Sequence, residues 1–164
     1  MGPEWGQFLE WRDWSALEWN DLEDSMNKQM QHFTATLNTV YRQNRPLWEQ
    51  DHHVVGISFT HTDDPESATM SFIRQAQRKY SFVVAAFNFV PVEQRDYRIG
   101  VPYCGQYELL LNTEAQAFGG TWVKLETDFE ATAHAYRGQP ASFTVTLPAM
   151  GALLIRPVKV VRGN

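Results

Sequence analysis

Apolar residues fall at Met26, Met30, Phe33, Leu37, Val40 and Tyr41, at spacings of 4, 3, 4, 3 and 1. That pattern draws one stripe along an α-helix, where residues three and four apart share a face. Asp24 or Ser25 offers a side-chain oxygen to cap the first turn, and Arg42 suits the negative end of the helix dipole. Pro46 ends the element by about Asn44, because the residue before a proline avoids helical geometry.

After Asp51 the apolar period falls to two. Segments 55–60, 69–74, 82–90, 96–101, 106–111, 142–147 and 153–158 are rich in β-branched and aromatic residues. Polar clusters such as Thr62-Asp63-Asp64-Pro65 separate them as turns. In 142–147, Ser142, Thr144 and Thr146 face one way while Phe143, Val145 and Leu147 face the other. Phe82-Val83-Val84-Ala85-Ala86-Phe87 is apolar on both faces, which predicts a central strand. Seven or so short antiparallel strands make a β-sandwich, so the fold class is mainly β with one long helix in front. Segment 119–139 is the least regular and is expected to be a long excursion between strands.

Residues 1–24 follow neither period and read as an aromatic loop, punctuated by Gly2-Pro3 and Gly6. Four of the six tryptophans lie here (Trp5, Trp11, Trp14 and Trp19), interleaved with Glu4, Glu10, Asp13 and Glu18. Large rings at a terminus need a surface to lie against. We therefore expect the chain to begin inside a larger protein.

Composition narrows the chemistry. With 43% apolar residues the chain can fill a core, so disorder is a poor reading. The net charge of −5 and the scattered Lys and Arg argue against a nucleic-acid surface. No apolar run approaches the ~20 residues that span a bilayer, and no signal peptide is visible. The lone Cys104 fits a reducing compartment, so a cytoplasmic chain with no membrane association is expected. His32, His52, His53, His61 and His134 show no HxxxH or HxH zinc spacing, and no metal or cofactor is expected. Cys104, in the turn Pro102-Tyr103-Cys104-Gly105, has no obvious histidine partner for nucleophilic chemistry. Gly119-Gly120 lacks the Lys and helix of a phosphate-cradling loop. Carboxylates among tryptophans suit glycoside chemistry, but each carboxylate is equally a solvated charge and each ring a packing residue.

Longer motifs add to this. Met1-Gly2-Pro3-Glu4-Trp5-Gly6-Gln7 looks like M-G-x-E-F-G-Q with Trp5 for the Phe. Glu10-Trp11 and Leu17-Glu18-Trp19 look like an E-W-N…L-D-W run, with Arg12 in place of the Asn. Leu37-Asn38, Tyr41-Arg42 and Pro46-Leu47 follow. Then come Ser71-Phe72-Ile73-Arg74, Asn88-Phe89-Val90-Pro91-Val92 and Tyr97-Arg98-Ile99-Gly100-Val101-Pro102. Leu111-Asn112-Thr113, Phe118-Gly119-Gly120, Leu147-Pro148 and Leu153-Leu154-Ile155-Arg156-Pro157 complete the set. In this order they resemble the C-terminal end of the bacterial 1,4-α-glucan branching enzymes, in the glycoside hydrolase 13 (α-amylase) superfamily. The run from Asn112 to Gly120 favours that family over debranching or trehalose-forming relatives.

The resemblance implies that residues 1–50 are the tail of a (β/α)8 barrel: last-strand exit, aromatic loop and last helix. It implies that 51–164 are the β-sandwich that closes such enzymes. The parent would cut an α-1,4-glucan and rejoin it through an α-1,6 bond by a retaining mechanism. The family's catalytic carboxylates sit on barrel loops upstream of the first matching residue, so no catalytic residue is assigned here. Glu4, Trp5, Gln7 and Trp11 are candidates for the substrate rim. The chain alone is expected to be inactive, with an α-glucan and the missing catalytic barrel as its partners. When the barrel is absent, either refolding of 1–50 onto the sandwich or self-association through this surface is expected. The alternative is a stand-alone glucan-binding or interaction module.

Overall fold

The computed structural model describes residues 2–9, 11–61, 68–123 and 126–161. The helix predicted from the apolar stripe is α1 (Ser25–Gln43), the one α-helix among the described residues. Asp24 is its cap: the carboxylate accepts the Met26 N–H at 2.7 Å, replacing a partner the first turn lacks. At the other end the Asn44 amide donates back to the Val40 carbonyl at 2.7 Å, and the chain turns through Arg45–Leu47.

Among the described residues eight strands follow, every pair antiparallel. They are β1 (Ile57–His61), β2 (Thr69–Gln75), β3 (Phe82–Asn88), β4 (Gln94–Val101), β5 (Gly105–Asn112), β6 (Asp128–Ala131), β7 (Ala141–Leu147) and β8 (Ala152–Val160). One sheet has the order β1-β2-β3-β8-β5-β6, and a second pairs β4 with β7. The apolar segment from Phe82 lies third in the large sheet, flanked by β2 and β8, with Phe82 through Ala86 buried. The strand expected from residue 55 begins two residues later, after a 3₁₀ turn over Val54–Gly56. The expected turn at 62–65 lies outside the described residues.

The excursion expected over 119–139 contains β6, which pairs with β5 from Gly105–Ala131 to Glu108–Asp128. From its end, Thr132 exchanges two backbone hydrogen bonds with Ser142 of β7, both at 3.1 Å. This bridge joins the two sheets along one side. It also explains Ser142, which the alternation of β7 places on the polar face but which is buried. Its hydroxyl donates to the His134 carbonyl at 2.7 Å and accepts from Arg98 Nη1 at 3.0 Å.

Between the sheets lie Ile73, Phe82, Val84, Ile99, Val101, Tyr107, Phe129, Phe143, Val145, Leu147, Leu153 and Ile155. Phe143 sits at the middle, its ring centroid 5.2 Å from Tyr107 and 5.4 Å from Phe129. Buried polar side chains tie the ends of the strands together. Asn88 donates to the carbonyls of Val92 and Pro148 at 2.8 and 2.9 Å, locking the end of β3 to the turn after β7. The Thr60 and Ser71 hydroxyls meet at 2.8 Å.

The segment between α1 and β1 fastens the helix to the outer face of the large sheet. Pro46 and Gln50 are buried there, and the Gln50 amide donates to the Gln75 carbonyl at 3.0 Å. Glu49 accepts the Gln77 N–H at 3.1 Å, and Asp51 pairs with Arg74.

Candidate functional site

The tryptophan motif folds as a short knot against the start of α1. Pro3–Trp5 form a 3₁₀ turn whose fixed proline φ suits its first position. Gly2 precedes it at φ 88°, a left-handed conformation that costs glycine little. Gln7 then ties the loop together. Its Nε2 donates to the Leu9 carbonyl at 2.7 Å, and its Oε1 accepts the Glu18 N–H at 3.0 Å.

Of the four rim candidates, the structure brings two together. Trp5 is 5% exposed, stacked on Trp19 with centroids 4.8 Å apart, and Gln7 staples the loop beside it. The Trp5 carbonyl accepts from Asn27 Nδ2 at 2.8 Å, so the knot is anchored to α1. The buried Trp5 Nε1 has no hydrogen-bond partner among the described residues. Glu4 and Trp11 point outward: Glu4 is exposed, and Trp11 is 83% exposed with φ at 54°. Phe8 and Trp14 are bare as well, at 90% and 80% exposure. Met1 and Glu10 of the sequence motifs lie outside the described residues. An edge built this way can hold and shape a neighbouring surface.

The exposed surface continues along the helix. Met26, Met30, Leu37 and Tyr41 of the apolar stripe are all exposed, and α1 buries no residue fully. Phe33 of the stripe meets Phe118 edge-on at 5.4 Å, while His32 lies 5.3 Å from the same ring. Phe118 is held by its own turn. Asn112 Oδ1 accepts the Glu114 N–H at 2.9 Å, and Thr113 Oγ1 accepts the Ala152 N–H at 2.8 Å. Gly120 passes so close to Glu114 that an added Cβ would stand 2.2 Å from its carbonyl oxygen. The Asn112–Gly120 run is therefore the seat of the helix. Sequence reasoning singled out that run without seeing its purpose, and it missed Asn27, which looks like an ordinary polar helix residue.

Two concave surfaces lie elsewhere. A groove of about 800 Å³ runs between the end of α1 and the outer face of β5 and β8, lined by Arg45, Arg78, Tyr80, Glu108, Arg156 and Lys159 among others. A cleft of about 490 Å³ opens between the sheets, with Leu109, Phe129 and Leu153 inside and Glu93, Arg95 and Trp122 at its margin. Among the described residues no group of three His, Cys, Asp or Glu side chains stands close enough to hold a metal ion. No described helix is long and apolar enough to cross a membrane. Burial pushes the Tyr107 phenol well above its ordinary value, and its hydroxyl donates to the Tyr103 carbonyl at 2.6 Å. Burial likewise raises Tyr97. Both are core groups with no role in the edge.

Residues 59–158 match the family described as alpha amylase, C-terminal all-beta domain. Similarity to individual proteins runs further in both directions. The chain is 79% identical over 163 residues to the 1,4-alpha-glucan branching enzyme GlgB of Lactiplantibacillus plantarum, an alignment covering 99% of the chain and 26% of that protein. It is 32% identical to GlgB of Bacillus cereus (strain Q1) over 100% of the chain and 25% of that protein. For GlgB of Lactobacillus acidophilus the identity is 31%, covering 98% of the chain and 25% of that protein. The chain thus spans about a quarter of the length of these relatives. The eight-stranded sandwich fits the family match, while the helix and tryptophan edge fall outside it but inside the likeness to the branching enzymes. The chain belongs to the family of alpha-amylase C-terminal all-beta domains.

Proposed function

We propose that the chain is the C-terminal part of a 1,4-α-glucan branching enzyme. On this reading residues 1–50 complete a (β/α)8 catalytic barrel, and residues 51–164 are the sandwich that closes it. The whole enzyme cleaves an α-1,4-glucan, keeps the released segment as a glycosyl-enzyme on a carboxylate, and passes it to a sugar 6-hydroxyl instead of water. No cofactor is needed, and the cytoplasm is the expected setting. The cleaving carboxylates belong to the barrel. In this chain Glu4, Trp5, Gln7 and Trp11 support the substrate rim, with Trp5 and Gln7 holding the loop that presents Glu4 and Trp11.

One observation carries this reading. The exposed rings and methionines of residues 8–41 form an apolar surface upstream of the all-beta match, on the part of the chain where likeness to the branching enzymes continues. Such a surface on an isolated domain needs a cover, and a barrel of which it is the last piece supplies one. The test is a chimera in which this chain replaces the matching segment of the L. plantarum relative. The chimera is expected to branch amylose, followed as loss of iodine colour, while the isolated chain shows no turnover. An inactive but folded chimera, or turnover by the chain alone, overturns the reading.

The cleft beside Trp122 favours a second reading, in which the chain by itself binds glucan: an aromatic ring and polar side chains surround an apolar floor. Retardation of the isolated chain in a glycogen-containing gel supports that reading, and unretarded migration supports a purely structural cap.

A further inference from the structure

The basic residues that are scattered in sequence are gathered in space. Four of the chain's 14 Lys and Arg residues (Arg45, Arg78, Arg156 and Lys159) line the groove between the end of α1 and the large sheet. Among the described residues Glu108 is the one carboxylate lining it, so these side chains give the groove a formal excess of three positive charges on a chain whose net charge is −5.

A break in strand register creates half of this cluster. Glu108 pairs with Arg156, Tyr107 with Pro157, and Gln106 with Lys159, so Val158 is an extra residue in β8. Gln106 and Glu108 are two apart on β5 and share a face, and their partners Lys159 and Arg156 therefore share it too. In a regular strand the three-residue step from Arg156 to Lys159 would put them on opposite faces. Bulges of this kind re-aim side chains. Here the bulge adds a lysine to the outer face and returns Val160 to the core.

The other members are held in place. Arg156 bonds Glu108 and donates from Nη1 to Asn44 Oδ1 at 3.3 Å, and Asn44 is itself buried. Arg45 pairs with Glu49. Arg78 sits on the turn between β2 and β3, where Gln75 Nε2 lies 3.0–3.1 Å from the carbonyls of Ala76, Arg78 and Ser81. Among the described residues neither Arg78 nor Lys159 has an ion-pair partner. The half-buried Tyr80 ring, packed on Tyr103 at 4.9 Å, provides a flat apolar wall.

We propose that this groove binds a phosphorylated sugar. Guanidinium groups present paired donors that match phosphate oxygens, and the ammonium of Lys159 adds a point charge. The groove's volume lies inside the about 300–1,000 Å³ typical of ligand sites and far exceeds what a bare phosphate needs. A sugar ring fits against Tyr80 while its phosphate meets the cations. The site is remote in sequence from the tryptophan edge and stands independently of the reading given above for the whole chain.

The experiment is calorimetric titration of the chain at low ionic strength with glucose 6-phosphate, glucose and inorganic phosphate. Saturable binding of glucose 6-phosphate is expected, with no binding of glucose and weaker binding of phosphate. The double variant Arg78→Gln/Lys159→Gln, at exposed positions that leave the fold intact by circular dichroism, is expected to weaken glucose 6-phosphate at least about tenfold. The variant Lys28→Gln, on the far part of α1, is expected to change nothing. No saturable binding, equal binding of phosphate, binding of glucose, or a double variant that binds like the parent each overturn the proposal.

Discussion

Asn27 donates its side-chain amide to the Trp5 carbonyl at 2.8 Å, joining the first turn of α1 to a motif 22 residues upstream. The bond makes the tryptophan knot depend on the helix. Replacing Asn27 by Ala is expected to cost about 0.5–1.5 kcal/mol of local stability. Amide exchange should accelerate at Gly6 and Gln7, which now donate to Pro3 and Gly2, and stay unchanged in β3. Equal protection in both proteins would mean that the stacked Trp5 and Trp19 hold the knot unaided.

Phe118 is the seat of α1, so Phe118→Ala is expected to release the helix without unfolding the sandwich. The aromatic contacts with Phe33 and His32 contribute on the order of 0.5–1.5 kcal/mol each beyond the area they cover. Hydrogen exchange should rise along α1 while the denaturant midpoint of the β-sheet barely moves. A global loss of stability would show instead that helix and sandwich unfold as one unit.

Ile155 is fully buried between β3 and β5. Ile155→Ala leaves a hole between close-packed sheets and is expected to cost about 2–5 kcal/mol, read as a lower urea midpoint.

Tyr107 gives the sandwich an alkaline limit. Its folded-state pKa is raised above the ordinary 10.0 by burial, so below that pH the phenol is neutral in both states and its contribution is intact. As pH rises past 10.0 the unfolded chain gives up the proton while the folded chain retains it. The unfolded state then binds fewer protons, and stability falls with rising pH. Tyr107→Phe should flatten this decline between pH 9 and pH 11 on the order expected for one phenol, while losing the bond to Tyr103 at neutral pH. An unchanged slope in the variant would assign the alkaline sensitivity elsewhere.

The exposed stripe on α1 is expected to drive association of the isolated chain. Burying one such side chain contributes about 1.5–3 kcal/mol. Light scattering should therefore show mass rising with concentration, and Met26→Lys/Met30→Lys should return the chain to a monomer. A parent chain that stays monomeric at every concentration contradicts this.

Much of the architecture was legible because its periods are strong. The stripe from Met26 to Tyr41 marked α1, and the doubly apolar run from Phe82 marked the central strand. Strand β6 was hidden for a physical reason. Asp128-Phe129-Glu130-Ala131 is four residues long with two carboxylates, and its place comes from pairing with β5 and bridging toward β7. The rim candidates were not separable in advance. That Trp5 is buried and Trp11 bare depends on Trp19 and Asn27, which no local pattern connects to them. The cationic groove was invisible, since Arg45, Arg78, Arg156 and Lys159 meet only through the fold, and Lys159 only through the extra residue in β8.

That extra residue gives β8 something like a reading frame. Straightening the strand with Val158 kept would turn Lys159 toward the core and Val160 out to water, whereas removing Val158 leaves Lys159 opposite Gln106 and Val160 opposite Gly105. Replacing Val158 by almost any side chain leaves the frame intact. The strand should therefore tolerate many residues at this position, and a β8 shortened by that one residue should keep Arg156 and Lys159 on the same face.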